Sequence, residues 1–283
     1  LISNTLRGDF TAKIRAEYDA MRERHKGKKV TKTYLSLDQA RNNAIKLNWT
    51  NYTPPVPKKL GIHTLKDYDL GELAPYIDWT PFFNTWELHG KYPNILKDEV
   101  VGEAATKLFE DALEMLDQIV KEKWLTANGV YGLFPAQSNG DDIVIKNEGK
   151  EIVLHHLRQQ NKKGAGLPNN CLSDFIAPAS SGKQDYIGGF AVTAGIGIEK
   201  KIEEFQANHD DYNSILLKAL ADRLAEAFAE RLHERVRKEF WGYDNFETLD
   251  NEDLIREKYK GIRPAPGYPA CPDHLEKQIL FDV

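Results

Sequence analysis

The chain has 283 residues, enough for one large domain or two small ones with a substantial core. Hydrophobic residues make up 41% and charged residues 29%, a soluble globular balance, and the net charge of −5 lacks the basic excess of a nucleic-acid footprint. No apolar run approaches the roughly 20 residues of a membrane span, and the first residues alternate apolar and charged, unlike a signal peptide. Cys171 and Cys271 fit no metal spacing, so the expectation is a reduced, cytoplasmic protein with no membrane or nucleic-acid partner. The opening at Leu1, without an initiator methionine, reads as a fragment of something longer.

Residues 10–29 carry a thin apolar stripe (Phe10, Ile14, Tyr18, Met21) at helical spacing, ending in a basic, glycine-containing tail. The run RERHKGKK reads as a solvated linker, or as a docking patch for an acidic partner. A short helix is expected from Ser36, its N-cap, to Asn43, and NYTPPVPKK breaks it. GIHTLKDY alternates as a strand does, and DLGELAPYI gives a short helix or turn. The aromatics of IDWTPFFNTWELHGKYP (Trp79, Phe82, Phe83, Trp86, Tyr92) read as a core cluster. Asp78 differs: a carboxylate beside apolar rings needs a partner, either a backbone N–H at a structural cap or a ligand ammonium.

The spacing predicts a long scaffold helix over 99–125, stopped by a left-handed cap at Asn128-Gly129. The period then changes to two. VYGLFPA, DDIVIKN, EIVLHHLRQQ and DYIGGFAVTAG read as strands, with NGDD and NEGK as tight turns, so the class is α+β with an antiparallel sheet. His155 and His156, adjacent in a strand, point to opposite faces and cannot share a metal. KKGAGLPNN reads as a flexible surface loop, and Gly188-Gly189 as a bulge or a close backbone approach. The last long helix is expected from about His209 to Trp241. Leu216, Leu220, Leu224, Phe228, Leu232 and Val236 step by four around it, drifting roughly 40° per step. Asp222, Glu226 and His233 lie far around from that row, as a solvated stripe or with Asp222 and Glu226 facing a cleft. Arg223 and Arg237 make the helix highly charged, which favours the stripe.

A last short helix, NEDLIREKYKG, leads into GIRPAPGYPACPDH at 261–274. Its four prolines forbid helix interior and central strand, leaving a stiff, mostly extended loop that Gly267 can turn. Arg263 offers a planar fork for a carboxylate or phosphate, and Tyr268 a flat ring with a polar tip. A proline-rich connector or a polyproline ligand is the other reading. The histidines and cysteines form no recognisable nucleophile–base arrangement, so catalytic residues are expected to be none, and no metal is expected either.

R-x-x-x-G-Y within GIRPAPGYPACP resembles the signature of the C-terminal activation domain of cobalamin-dependent methionine synthase. The likeness recurs, in the same order, in YIDWTPFFNTWELHGKYP, GLFPAQSNGDDI, HHLRQQ, DYIGGFAVTAG and HDDYNSILLKALADRLAEAFAERLHERVRKEFWGY, and runs from roughly Leu35 to the C-terminus. The resemblance implies a bent antiparallel sheet flanked by long helices, with residues 1–34 as a linker from a cobalamin-carrying domain and 35–283 as the activation domain. It implies a domain that presents S-adenosyl-L-methionine for reductive remethylation of cob(II)alamin. The cobalamin is carried by the neighbouring domain of the same polypeptide, and the electron comes from a flavodoxin-type reductase. Such a domain belongs to a methyltransferase of methionine biosynthesis yet is not expected to turn over alone. Carried over by motif, the ligand contacts are Asp78, Glu226, Arg263, Ala265, Gly267 and Tyr268. The carboxylate, ammonium, sulfonium and adenine of that ligand call for an Arg fork, an acid, an aromatic surround and backbone polar groups, which these residues supply. The family continues to a Tyr-Tyr segment that also touches the ligand, whereas this chain stops after EKQILFDV, as either a C-terminal truncation relative to the family or a divergent short form would. The competing class is a protein-interaction or docking module without a small-molecule ligand.

Overall fold

The computed structural model describes residues 8–26 and 33–283, and the chain divides into two compact units. The first comprises Leu1–Ile45 with Arg158–Asn170, and the second Lys46–Leu157 with Cys171–Val283.

In the first unit, α1 spans Gly8–His25. The glycine-containing tail expected after it lies outside the described residues. Helix α2, Leu37–Asn42, begins in a capping box: Ser36 Oγ accepts from the Gln39 N–H while Gln39 Oε1 accepts from the Ser36 N–H. The loop expected to be flexible is tied down instead. Asn169 is fully buried, its Nδ2 donating to the carbonyls of Gln159 and Asn161, and Asn43 Nδ2 donates to Asn169 Oδ1 at 2.7 Å.

The second unit is built on β2, Thr126–Asn139. It pairs antiparallel with β1 (Gly61–Leu65), β3 (Asp142–Asn147) and β5 (Asp185–Ile196), and β4 (Lys150–His155) extends the sheet beyond β3. The tight turns at NGDD and NEGK stand as expected, joining β2 to β3 and β3 to β4. His155 ends β4, so His156 lies just past the strand. The pairing of β2 with β5 runs unbroken through Gly188 and Gly189, and its irregularity falls at Thr126/Asn128. Alternation along β2 sends neighbouring residues to different cores: Leu133 joins the main one, Phe134 and Ala136 a smaller one with Ile143, Ile145 and Leu154.

On the main-core side lie α3 (Leu70–Leu73), α4 (Trp79–Thr85) and α5 (Gly102–Glu122). They are joined by α6 (Ile198–Ala207) and α7 (Asp211–Arg235). Trp79, Phe82 and Phe83 are buried in this core, as the aromatic cluster predicts. Helix α5 ends earlier than expected, because Lys123 takes the left-handed cap at φ 52°. Asn128-Gly129 therefore lies inside β2. The reason for glycine there is packing: a Cβ on Gly129 would sit 2.9 Å from Cζ of Phe228 on α7. Helix α7 stops at Arg235 and widens into a π turn, Val236–Phe240, with the Trp241 N–H donating to the Val236 carbonyl at 2.8 Å. After it come α8 (Asn251–Ile255) and α9 (Glu276–Asp282). Helices α6 and α9 had no sequence expectation.

Candidate functional site

Glu226, Glu230 and Glu234 follow one another by four along α7, so they share one face of the helix. Each meets a different environment. Glu226 is exposed. Glu230 is mostly buried, and its Oε1 accepts from Nη2 of Arg263, on the proline-rich loop. Burial holds the Glu230 carboxyl above its usual range despite the guanidinium beside it. Glu234 is buried and saturated: it accepts from Tyr76 Oη at 2.6 Å, Arg231 Nη1 at 2.8 Å and Lys238 Nζ at 3.2 Å. Those contacts outweigh the desolvation that burial imposes and hold its carboxyl below the usual range.

Tyr76 lies two residues before Asp78, so the Glu234 contact fixes the segment that carries Asp78 onto α7. Asp78 is the N-cap of α4, its Oδ1 accepting from the Thr80 N–H at 2.9 Å. The Ile77 carbonyl next to it accepts from Asn251 Nδ2 of α8 at 3.3 Å. The cap that sequence held open for Asp78 is therefore present. It uses one carboxylate oxygen.

Behind this face lies a charged core. Arg237, expected on a solvated helix, is fully buried, and Nε and Nη2 donate to the two oxygens of Glu247 at 2.6 Å each. Its Nη1 donates to His233 Nδ1 at 2.8 Å, and its guanidinium lies 4.4 Å from the Tyr259 ring centre. His233, read as part of a polar stripe with Asp222, is buried as well, while Asp222 is exposed and paired with Arg223. Burial first, then Arg237 and Arg263, pushes the His233 imidazole down to about 3, so it is neutral and accepts from Arg237.

The segment after Arg263 turns at Gly267, as that glycine allows, and closes on itself more than its prolines suggest. The Gly267 N–H donates to the Cys271 carbonyl at 2.8 Å, and the Cys271 N–H returns to the Tyr268 carbonyl at 2.9 Å. Gly267 has φ 99°, and a Cβ there would fall 2.3 Å from the His274 ring, so only glycine fits. Ala265 and Tyr268 are exposed on this turn. Of the expected residues, then, Arg263 is joined to the acidic row one turn from Glu226. Asp78 is tied to the same helix through Tyr76, and Ala265, Gly267 and Tyr268 follow on the same loop. Asp78, Glu226 and Tyr268 make no hydrogen bond to Arg263. Among the described residues no group of His, Cys, Asp and Glu is placed to hold a metal, and no helix is long and apolar enough to cross a membrane.

The family model for the activation domain of vitamin B12-dependent methionine synthase matches residues 69–283, which include every residue of this site. The chain belongs to that family. A crystal structure of the MetH reactivation domain bound to AdoHcy is 56% identical and superposes with a TM-score of 0.83. The match covers 88% of this chain and 77% of that one. The antiparallel α+β architecture is thus that of a methionine synthase activation domain. Sequence reasoning missed Glu230, Glu234 and Tyr76 in this activation domain. The acids carried a signal, since their spacing by four continues from Glu226. Tyr76 carried none, because its partner is 158 positions away.

Proposed function

We propose that this activation domain binds S-adenosylmethionine beside the acidic face of α7 and presents it to cobalamin carried by another domain of methionine synthase. The observation that carries the reading is Arg263: a guanidinium on a glycine- and proline-shaped turn, mostly buried, with Glu230 on one nitrogen and, among the described residues, no hydrogen-bond partner on the others. Such an edge fits the α-carboxylate of an amino-acid ligand. Glu226, exposed one turn from Glu230, and the free oxygen of Asp78 supply negative charge for its ammonium and sulfonium. The exposed Tyr268 ring and the backbone of Ala265 and Gly267 suit its adenine. S-adenosylhomocysteine bound to the related reactivation domain supports the same ligand class here.

When bound, the ligand supplies a methyl group on a sulfonium, a good leaving group. The chain's own residues need only orient it, exclude competing poses and keep the sulfonium side open to a partner domain, because no proton has to move. In this reading residues 1–34 are the linker from the cobalamin-carrying domain, 35–283 are the activation domain, and a flavodoxin-type reductase delivers the electron. The setting is a reducing cytoplasm, in keeping with Cys171 and Cys271, which are buried and not joined in a disulfide. Calorimetric titration with S-adenosylmethionine tests the binding: a 1:1 isotherm is expected, and none leaves a docking module. A second arm tests the role. The purified chain with S-adenosylmethionine and reductant should demethylate nothing, whereas a cobalamin-loaded partner domain should yield methylcobalamin in the visible spectrum. Turnover without cobalamin on another acceptor would overturn the reading.

A further inference from the structure

We infer that Glu230 is the positioning residue for Arg263, holding one guanidinium nitrogen from α7 so that the remaining N–H groups meet an incoming ligand carboxylate already oriented. This rests on the binding reading above and deepens it. The two side chains differ in what supports them. Glu230 projects from the C-terminal third of a long helix packed on the sheet, whereas Arg263 projects from a loop two residues after Gly261. A long arginine side chain on a loop would otherwise lose its rotamer freedom when ligand binds, and that loss weakens affinity.

The neighbouring acids cannot take this part. Glu234, one turn further, is saturated by Tyr76, Arg231 and Lys238, and Glu226, one turn earlier, makes no bond to Arg263. Two details separate positioning from competition. Among the described residues Arg263 has no hydrogen-bond partner except Glu230, and Glu230 engages it through Oε1 alone. The second oxygen, Oε2, is buried without a partner and does not close on the fork. A ligand carboxylate can therefore dock on the free edge with the ion pair intact. Glu230 thus acts through Arg263 and is not assigned a ligand contact of its own.

The experiment is a double-mutant cycle read by calorimetric titration with S-adenosylmethionine, using wild type, E230A, E230Q, R263A and the E230Q/R263A pair. E230A is expected to weaken binding about tenfold, the scale of one charge-assisted hydrogen bond. E230Q keeps the shape and a neutral acceptor for Nη2, so it should recover part of the loss and guards against an alanine variant that fails to fold. With R263A already present, E230Q should weaken binding no further, which a merely structural role would not produce. Wild-type or tighter affinity in folded E230A and E230Q overturns the inference by showing competition. An equal loss with and without Arg263 also overturns it. A wild-type chain that binds nothing defeats the binding reading itself, before any variant is compared.

Discussion

Arg237 and Glu247 form a closed, two-pronged ion pair inside the domain, with Nε and Nη2 each 2.6 Å from a carboxylate oxygen and the guanidinium fully buried. Glu247 follows the π turn that ends α7, so the pair fastens the segment leading to α8 and the Arg263 loop back onto that helix. Removing either partner strands the other charge in a dry site. Arg237→Ala and Glu247→Ala are each expected to cost about 3–5 kcal/mol, seen as a lower urea midpoint with an unchanged slope. The paired replacement Arg237→Met with Glu247→Leu should lie within about 2 kcal/mol of wild type, because no charge is left alone. Equal losses in the single and paired variants would show that shape, not charge, matters here.

What sequence could reveal of this molecule follows from how local each determinant is. The apolar spacing of α5 and the turns around β3 depend on neighbours within one element, so both were legible. Asn128-Gly129 carries the local pattern of a stop, but the constraint acting there comes from Phe228, a hundred residues further on. Burial of Arg237 and His233 was hidden for the same reason: a charged helix looks solvated until Glu247, which neutralises Arg237, and Tyr259, which packs against both side chains, are folded against it. In the site, Arg263 and Asp78 stood out through unusual company, proline in one case and aromatic rings in the other. Glu230 did not, since an acid on an acidic helix is unremarkable until Arg263 meets it.

Asp78 offers a clean separation of cap from ligand contact. Asparagine caps a helix as well as aspartate does, so Asp78→Asn keeps the acceptor for the Thr80 N–H while removing the charge. The unliganded domain should melt within about 1 °C of wild type, since a retained cap changes stability by only tenths of a kcal/mol. S-adenosylmethionine affinity should fall. Asp78→Ala should show the same binding loss and, in addition, about 1 kcal/mol of lost stability by urea denaturation. A stability loss in both variants with binding spared would confine Asp78 to the cap.

Arg263→Ala should weaken S-adenosylmethionine binding by about 2–4 kcal/mol, roughly thirty- to a thousand-fold, as for a charge-assisted pair cut on one side. Arg263→Lys should recover only part, because a point charge cannot reproduce the fork. The alanine variant also leaves Glu230 mostly buried without its cation, so the unliganded domain should lose about 1–3 kcal/mol of stability. Adding Glu230→Gln should restore much of that stability and none of the affinity. Unchanged affinity in Arg263→Ala, in a folded protein, removes Arg263 from the site.

The buried imidazole of His233 sets a pH limit on the fold. It faces Arg237 at 2.8 Å and stands perpendicular to the Tyr259 ring, with Arg263 adding positive charge, and these surroundings hold its pKa near 3 against an ordinary 6.5. The folded state thus binds fewer protons at this position than the unfolded state does between those values. Its contribution to stability is complete above about pH 6.5 and drains away as pH falls toward 3. Glutamine at this position keeps an acceptor for Arg237 but cannot titrate. Carboxylates titrate in both proteins, so the difference in unfolding free energy between wild type and His233→Gln isolates the histidine. Between pH 5.5 and 4.5 that difference should move against wild type by about 1.4 kcal/mol per unit, measured by urea denaturation at each pH. A flat difference across this window would mean that His233 is charged in the folded domain, and that Arg237 has turned away from it.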